Sequence, residues 1–207
     1  MFTGIVQTQA NVISLNNRNN FSQIVLAVDT CWAEELSLGA SIAINGVCLT
    51  VVRYEPMNET THITFDVIDE TLAVTNLCEL DIGMKVNFER SLKIGDEIGG
   101  HQVSGHVHTV ALLDEKVQSA NNCQLVFNCD EQWMKYILPK GFITINGVSL
   151  TVGKVTSNGF SVHLIPETLA RTNLSVLNCG GKVNLEFDQQ TMTIVKTLER
   201  MKEQALI

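Results

Sequence analysis

The chain has 207 residues, enough for one large domain or two of about 100 residues each. Apolar residues make up 45% of it and proline only 3 positions, a composition that excludes a disordered chain. The formal net charge of −8 leaves no basic stripe to neutralise phosphates, so general nucleic-acid binding is excluded, although one basic pocket for an anion is not.

No run approaches the roughly 18 apolar residues of a membrane helix. The start MFTGIVQTQ lacks the basic head and long apolar stretch of a signal peptide, so a soluble, cytoplasmic protein is expected.

In chain order, the runs QIVLAV, SIAINGVCLTVV, HITFDVI and KVNFER come first, then QLVFNC, FITINGVSLTVG and FSVHLI. Each is short, rich in Val, Ile, Thr and Phe, and bounded by Gly, Asn or Asp, which reads as β-strand. Strands at intervals of about 8–12 residues predict closed barrels or sandwiches. The tail DQQTMTIVKTLERMKEQALI differs: Ile194, Leu198, Met201 and Ala205 form one apolar stripe on a helix, with Asp188 placed to cap its start. Such a stripe at the end of two β units predicts a seam between subunits.

The chain is an internal duplication. INGVCLTVV, from Ile44, matches INGVSLTVG, from Ile145, at seven of nine positions. ETLAVTNL (from Glu70) matches ETLARTNL (from Glu167), KVNFE (from Lys85) matches KVNLE (from Lys182), and Thr3-Gly4-Ile5-Val6 lies over Ser104-Gly105-His106-Val107. The expected division is 1–97, 98–187 and a helical tail over 188–207, with the boundary near KIGDEIGG.

Residues two apart on a strand share a face. Val47, Leu49 and Val51 are therefore expected to point inward, and Cys48 and Thr50 outward. In the second copy Val148, Leu150 and Val152 point inward, and Ser149 and Thr151 outward. Thr and Ser also decorate ordinary exposed strands, but the pair recurs in both copies. Asp66-Val67-Ile68-Asp69-Glu70-Thr71 and His163-Leu164-Ile165-Pro166-Glu167-Thr168 each end a strand in Glu-Thr, where Thr is expected to cap a short helix.

HQVSGHVH carries His101, His106 and His108. The last two would share a strand face, but no Cys or carboxylate stands at ligand spacing, so a general base or structural histidine is favoured over a metal site. Lys140, in ILPKGF, is either a solvated loop residue or a contact to a polar ligand. The six cysteines form no C-x-x-C pair, which excludes zinc-ribbon and thioredoxin readings. All except Cys48 are expected to be buried small hydrophobes.

Together MFTGIV, NGVCLT, NGVSLT, GGHQVSGHV, MKYILPKGF and HLIPETLARTNL, spread over essentially the whole chain, resemble riboflavin synthase of the α-chain type. The resemblance implies an all-β fold of two six-stranded Greek-key barrels with a C-terminal α-helix, assembled as a homotrimer through the helices. It implies transfer of a four-carbon unit between two molecules of 6,7-dimethyl-8-ribityllumazine, giving riboflavin and 5-amino-6-(ribitylamino)uracil, without a metal or redox cofactor. Each active site would lie between the N-terminal barrel of one subunit and the C-terminal barrel of its neighbour.

Carried onto this chain, one pocket would hold Gly4, Ile5, Val6, Cys48, Leu49, Thr50 and the six residues from Asp66 to Thr71. The other would hold Gly105, His106, Val107, Lys140, Ser149, Leu150, Thr151 and the six from His163 to Thr168. Where the family often reads IDG in its second turn, this chain has Asn146. Cys48 or Ser149 would assist addition at C7 of one lumazine, and His106 would manage the methyl proton. The rival expectations are a non-catalytic lumazine- or flavin-binding antenna protein, whose unused motifs should decay, and a two-barrel scaffold that binds no small molecule.

Overall fold

The computed structural model describes residues 1–18, 21–119 and 122–204. The first barrel comprises β1 (Thr8–Arg18), β2 (Phe21–Asp29), β3 (Ser41–Ile44), β4 (Val47–Pro56), β5 (Thr60–Ile68) and β6 (Lys85–Arg90), closed in the order β1-β2-β5-β4-β3-β6. The second comprises β7 (Thr109–Gln118), β8 (Cys123–Asn128), β9 (Phe142–Ile145), β10 (Val148–Val155), β11 (Gly159–Leu164) and β12 (Lys182–Phe187), closed in the equivalent order. In both, the β3–β4 or β9–β10 hairpin is inserted between strands that lie apart in sequence, a Greek-key arrangement with no open edge.

Four α-helices accompany the strands among the described residues: α1 (Asp69–Val74), α2 (Glu131–Met134), α3 (Pro166–Arg171) and α4 (Gln189–Glu203). No helix among the described residues is long and apolar enough to cross a membrane.

The alternation in NGVCLTVV holds: Val47, Leu49 and Val51 are core residues, as are Val148, Leu150 and Val152. The sequence reading left β1 and β7 unassigned. In β1 only Ala10 and Val12 are buried apolar residues, and the intervening Gln, Asn and Ser positions dilute the strand signal.

The barrels face one another about an approximate twofold relation. Each Asn-Gly hairpin turn has positive φ at both residues (45° and 79°, 46° and 81°), the geometry of a two-residue hairpin loop. The two turns abut: a Cβ on Gly46 would lie 2.6 Å from the Gly147 nitrogen, and one on Gly147 would lie 2.8 Å from the Gly46 nitrogen.

Six asparagines surround this contact. Asn184 Nδ2 donates to the Asn45 carbonyl (2.9 Å) and Asn87 Nδ2 to the Asn146 carbonyl (2.8 Å). Asn76 N–H donates to Asn184 Oδ1 and Asn173 N–H to Asn87 Oδ1, both at 2.7 Å. The Asn45 and Asn146 side chains in turn accept the Asn87 and Asn184 N–H groups, each at 2.8 Å. Each such buried amide would cost about 1–3 kcal/mol if left unpaired, so the network fixes how the barrels meet. Asn146 is therefore a turn and interface residue, whose side-chain oxygen accepts from Asn184 N–H and from Asn76 Nδ2.

Two expectations fail at this level. Among the cysteines assigned to the core only Cys123 and Cys129 are buried; Cys31, Cys78 and Cys179 are exposed, because they lie in short 3₁₀ turns and a loop rather than on inward strand positions. Burial pushes the Cys129 thiol up to about 11. HQVSGHVH also forms no strand: Val103 makes one bridge to Phe2, and β7 begins only at Thr109. His106 and His108 thus share no strand face.

Candidate active site

The N-terminal segment and its repeat cross over. Phe2 and Val103 exchange backbone hydrogen bonds of 2.8 and 3.0 Å, tying the two segments together. Beyond this bridge the Gly4 carbonyl accepts the Ser149 N–H at 2.7 Å, and Val6 packs into the core of the second barrel. Reciprocally, Cys48 N–H donates to the Gly105 carbonyl at 2.8 Å, and Val107 packs against the core of the first. A Cβ on Gly4 or on Gly105 would come within 2.6 Å of Ser149 Cβ or Cys48 Cβ, so glycine is required at both crossings.

These contacts group the crossing segments differently from the pockets that the resemblance implied. Gly4, Ile5 and Val6 belong beside Ser149, and Gly105, His106 and Val107 beside Cys48. A strand-by-strand reading keeps each segment with its own copy, but the barrels complete one another.

Each crossing segment is held by a carboxylate of its own barrel. Thr3 donates its N–H and hydroxyl to Glu89 Oε1 at 2.7 and 2.8 Å; Ser104 donates the same two groups to Glu186 Oε1, both at 2.7 Å. Glu186 Oε2 also accepts the Gly105 N–H at 2.9 Å, whereas Glu89 Oε2 has no partner among the described residues. Burial raises the pKa of both acids, and the hydrogen bonds from these segments oppose that shift.

On the first barrel Cys48 is half-buried and Thr50 exposed. Val51 pairs with Phe65, which sets Thr50 next to Asp66 on the outer face, and Asp66 Oδ1 accepts from Gln23 Nε2 at 2.9 Å. On the second barrel Val152 pairs with Val162, which sets Thr151 next to His163, whose Nδ1 lies 3.0 Å from Asn122 Nδ2. Ile5 and His106, the residues that follow the crossing glycines, are both exposed.

Leu49, Leu150, Val67 and Leu164 are core side chains, so only their main-chain groups are available to a ligand. Asp69, Glu70 and Thr71 lie in α1, and Pro166, Glu167 and Thr168 in α3, with Ile68 and Ile165 at the cap positions. The expected threonine cap is thus not formed. Thr71 and Thr168 lie inside the helices and give their carbonyls to the hydroxyls of Thr75 and Thr172, both at 2.7 Å. Neither helix has a side-chain cap, which leaves first-turn N–H groups open beside the outer face. Lys140 is exposed, at φ 67°, in the turn before β9.

Sequence reasoning missed His101 as a member of the second site. Its Nδ1 lies 2.7 Å from Ser149 Oγ, its Nε2 3.3 Å from Thr144 Oγ1, and its ring stacks on Phe142 at 4.9 Å. Burial lowers its pKa, partly opposed by the charge of Asp188. Each ring nitrogen of His101 thus meets a hydroxyl, and the neutral tautomer with its proton on Nε2 would accept the Ser149 proton at Nδ1. The signal available in the sequence was a histidine just before the second crossing segment.

The architecture is thus a duplicated barrel whose two copies present equivalent outer faces. The lumazine binding domain matches the chain twice, over residues 3–91 and 104–188. The chain belongs to the riboflavin synthase family. It is 48% identical over 202 residues to riboflavin synthase of Escherichia coli (strain K12), covering 97% of this chain and 93% of that one. It is 38% identical over 209 residues to riboflavin synthase of Chlamydia muridarum, covering 100% and 99%. Among solved structures it is similar to LumP complexed with riboflavin (TM-score 0.82, 27% identity, 91% of this chain and 100% of that one) and to LumP complexed with 6,7-dimethyl-8-(1'-D-ribityl) lumazine (TM-score 0.81, 25% identity, with the same coverage).

Proposed function

We propose that the chain is a transferase that converts two molecules of 6,7-dimethyl-8-ribityllumazine into riboflavin and 5-amino-6-(ribitylamino)uracil by moving a four-carbon unit from one to the other. The observation that carries this reading is the survival of both sites in one chain. Each barrel keeps its outward pair (Cys48 and Thr50, Ser149 and Thr151), its helix after the outer strand, and a crossing segment from the other copy. A reaction between two identical molecules uses two similar sites brought face to face, and holding both rings in contact removes several kcal/mol of encounter entropy from the barrier.

The crossing sorts the chemistry. One ring site combines Cys48, Thr50, Asp66 and His106; the other combines Ile5, Ser149, Thr151, His163 and the His101 imidazole. Ser149, with His101 beside it, assists addition at C7 of one lumazine, directly or through water. His106 takes the methyl proton of a lumazine held beside Cys48. Main-chain groups at the ends of β5 and β11 read the amide-like pyrimidine edge. The chain acts as a homotrimer joined by α4, in which the first-barrel site of one subunit meets the second-barrel site of its neighbour. The division 1–97, 98–187 and 188–207 then describes chain order, with the first residues serving the second barrel.

Incubating the purified protein with the lumazine and following its absorption tests the reading. Conversion to riboflavin is the expected result; an unchanged bound chromophore would mean an antenna protein, and no spectral change would mean a scaffold. Ser149→Ala and His106→Ala are each expected to lower turnover by about ten-fold or more. Full turnover in either variant removes that residue from the chemistry.

A further inference from the structure

Where the two barrels meet they leave a cleft of about 750 Å³, within the roughly 300–1,000 Å³ usual for small-molecule sites. None of the ring-site residues lines it. Residues of both copies do so in equivalent pairs, with Leu80 matched by Leu177 and Lys85 by Lys182. Asn45, Asn76 and Asn146 also line it, but their side-chain oxygens are already engaged in the network between the barrels. The free lining is therefore the apolar walls and the two lysines.

The equivalence of the copies breaks down at the charges. The 3₁₀ turn Asn76–Glu79 lies on β12, where Asn76 Nδ2 donates to the Lys182 carbonyl at 3.2 Å and Glu79 forms an ion pair with Lys182. The turn Asn173–Val176 lies on β6 in the same way, with Asn173 Nδ2 donating to the Lys85 carbonyl at 3.4 Å. Val176, however, stands where the first copy has Glu79. The Lys85 ammonium is left without an ion-pair or hydrogen-bond partner among the described residues.

The two lysines and Glu79 thus leave the cleft with one uncompensated positive charge. An adjoining cleft past Lys85 carries Arg171, itself paired with Glu167, and Asp29, which lies beyond ion-pair distance of Lys85. The same exchange that frees Lys85 also widens the apolar wall beside it: Val176 is 73% exposed and Met84 44%. A single free cation next to apolar surface suits an anion with an apolar body better than a neutral polar molecule or a multiply charged one.

We propose that the cleft between the barrels is a second kind of binding site, for a small organic monoanion whose apolar body lies against Leu80, Met84, Val176 and Leu177 and whose acid group meets Lys85. Such an occupant touches both copies at once, unlike a ligand of either ring site.

Titration of the full chain with anilinonaphthalene sulfonate, an aromatic body with one acid group, tests it by fluorescence and calorimetry. Saturable binding of one probe per chain is expected, and excess riboflavin should not displace it. Val176→Glu supplies the carboxylate that Glu79 gives to Lys182 and should weaken the probe about ten-fold or more, as should Lys85→Gln. Val176→Gln has the same size without the charge and should stay within about three-fold of wild type, since the position is a surface one. Phenylnaphthylamine, the same body without the sulfonate, should bind the Val176→Glu and Val176→Gln variants alike.

The absence of saturable binding, displacement by riboflavin, or equal affinity of the probe for the Val176→Glu and Val176→Gln variants would overturn the proposal. None of these results bears on lumazine turnover, so the cleft and the ring sites stand or fall separately.

Discussion

At the scale of single residues, the two copies differ most where a titratable group meets the site or its support. His108 is wedged against Trp133 and Phe187, and its Nδ1 accepts the Phe187 N–H at 3.2 Å. Burial, with the charges of Lys196 and His106, holds its pKa down to about 4 from an ordinary 6.5. Between those values the unfolded chain binds more protons than the folded one, so this contribution to stability is complete above pH 6.5 and is lost as the pH falls toward 4. His101 is shifted in the same direction, whereas Glu89 and Glu186, raised by burial, act in the opposite sense. The informative quantity is therefore a difference. His108→Gln, which keeps an acceptor for Phe187, should lose less stability than the wild-type protein between pH 7 and pH 5 in urea titrations, and parallel curves would contradict the assignment. The outward Cys48 and Ser149 were legible from alternation alone. His101, Glu89 and Glu186 were not, because their partners lie 48, 86 and 82 positions away and no local pattern records such a pairing.

At the scale of elements, the paired hairpin turns carry the sharpest expectation. Gly46 and Gly147 combine positive φ with a backbone-to-backbone approach, so an alanine at either meets both conformational strain and a clash. Gly46→Ala and Gly147→Ala are each expected to cost about 2 kcal/mol or more, which for a chain of this size lowers the melting temperature on the order of 4–8 °C. A thermal shift below a degree would mean that the turns can part without loss. The NG pair announced the turn from sequence, since Asn-Gly is the residue choice that a two-residue hairpin loop demands. It did not announce that two such turns would meet, nor that the asparagines around them form one network, because that information lies in the relation between copies. The segment HQVSGHVH was misread for a related reason: its apolar alternation packs against the other barrel instead of forming a ladder of its own.

At the scale of the whole molecule, α4 has two faces. Met192 and Val195 pack on the second barrel, and Lys135 pairs with Glu199, whereas Ile194 and Leu198 are 61% and 51% exposed. Asp188 caps the helix through Thr191 N–H at 2.8 Å, as its position suggested; Ala205, the last residue of the expected stripe, lies outside the described residues. The exposed stripe predicts that Ile194→Asp combined with Leu198→Lys yields a smaller particle with both barrels folded, measurable by sedimentation and circular dichroism. An unchanged sedimentation coefficient would place the subunit seam elsewhere. Duplication, barrel count and terminal helix could all be read along the chain, because each is a repeat or a period. The crossing of the two segments could not, and it bears on how the molecule is made. Gly4 and Val6 stand ahead of every strand of the first barrel, yet the groups that receive them are Ser149 and the core of the barrel that closes only with β12. Thr3 can take its place on Glu89 as soon as the first barrel has formed, but Gly4 and Val6 find theirs only when the second barrel closes, so the folding of one barrel is completed by that of the other.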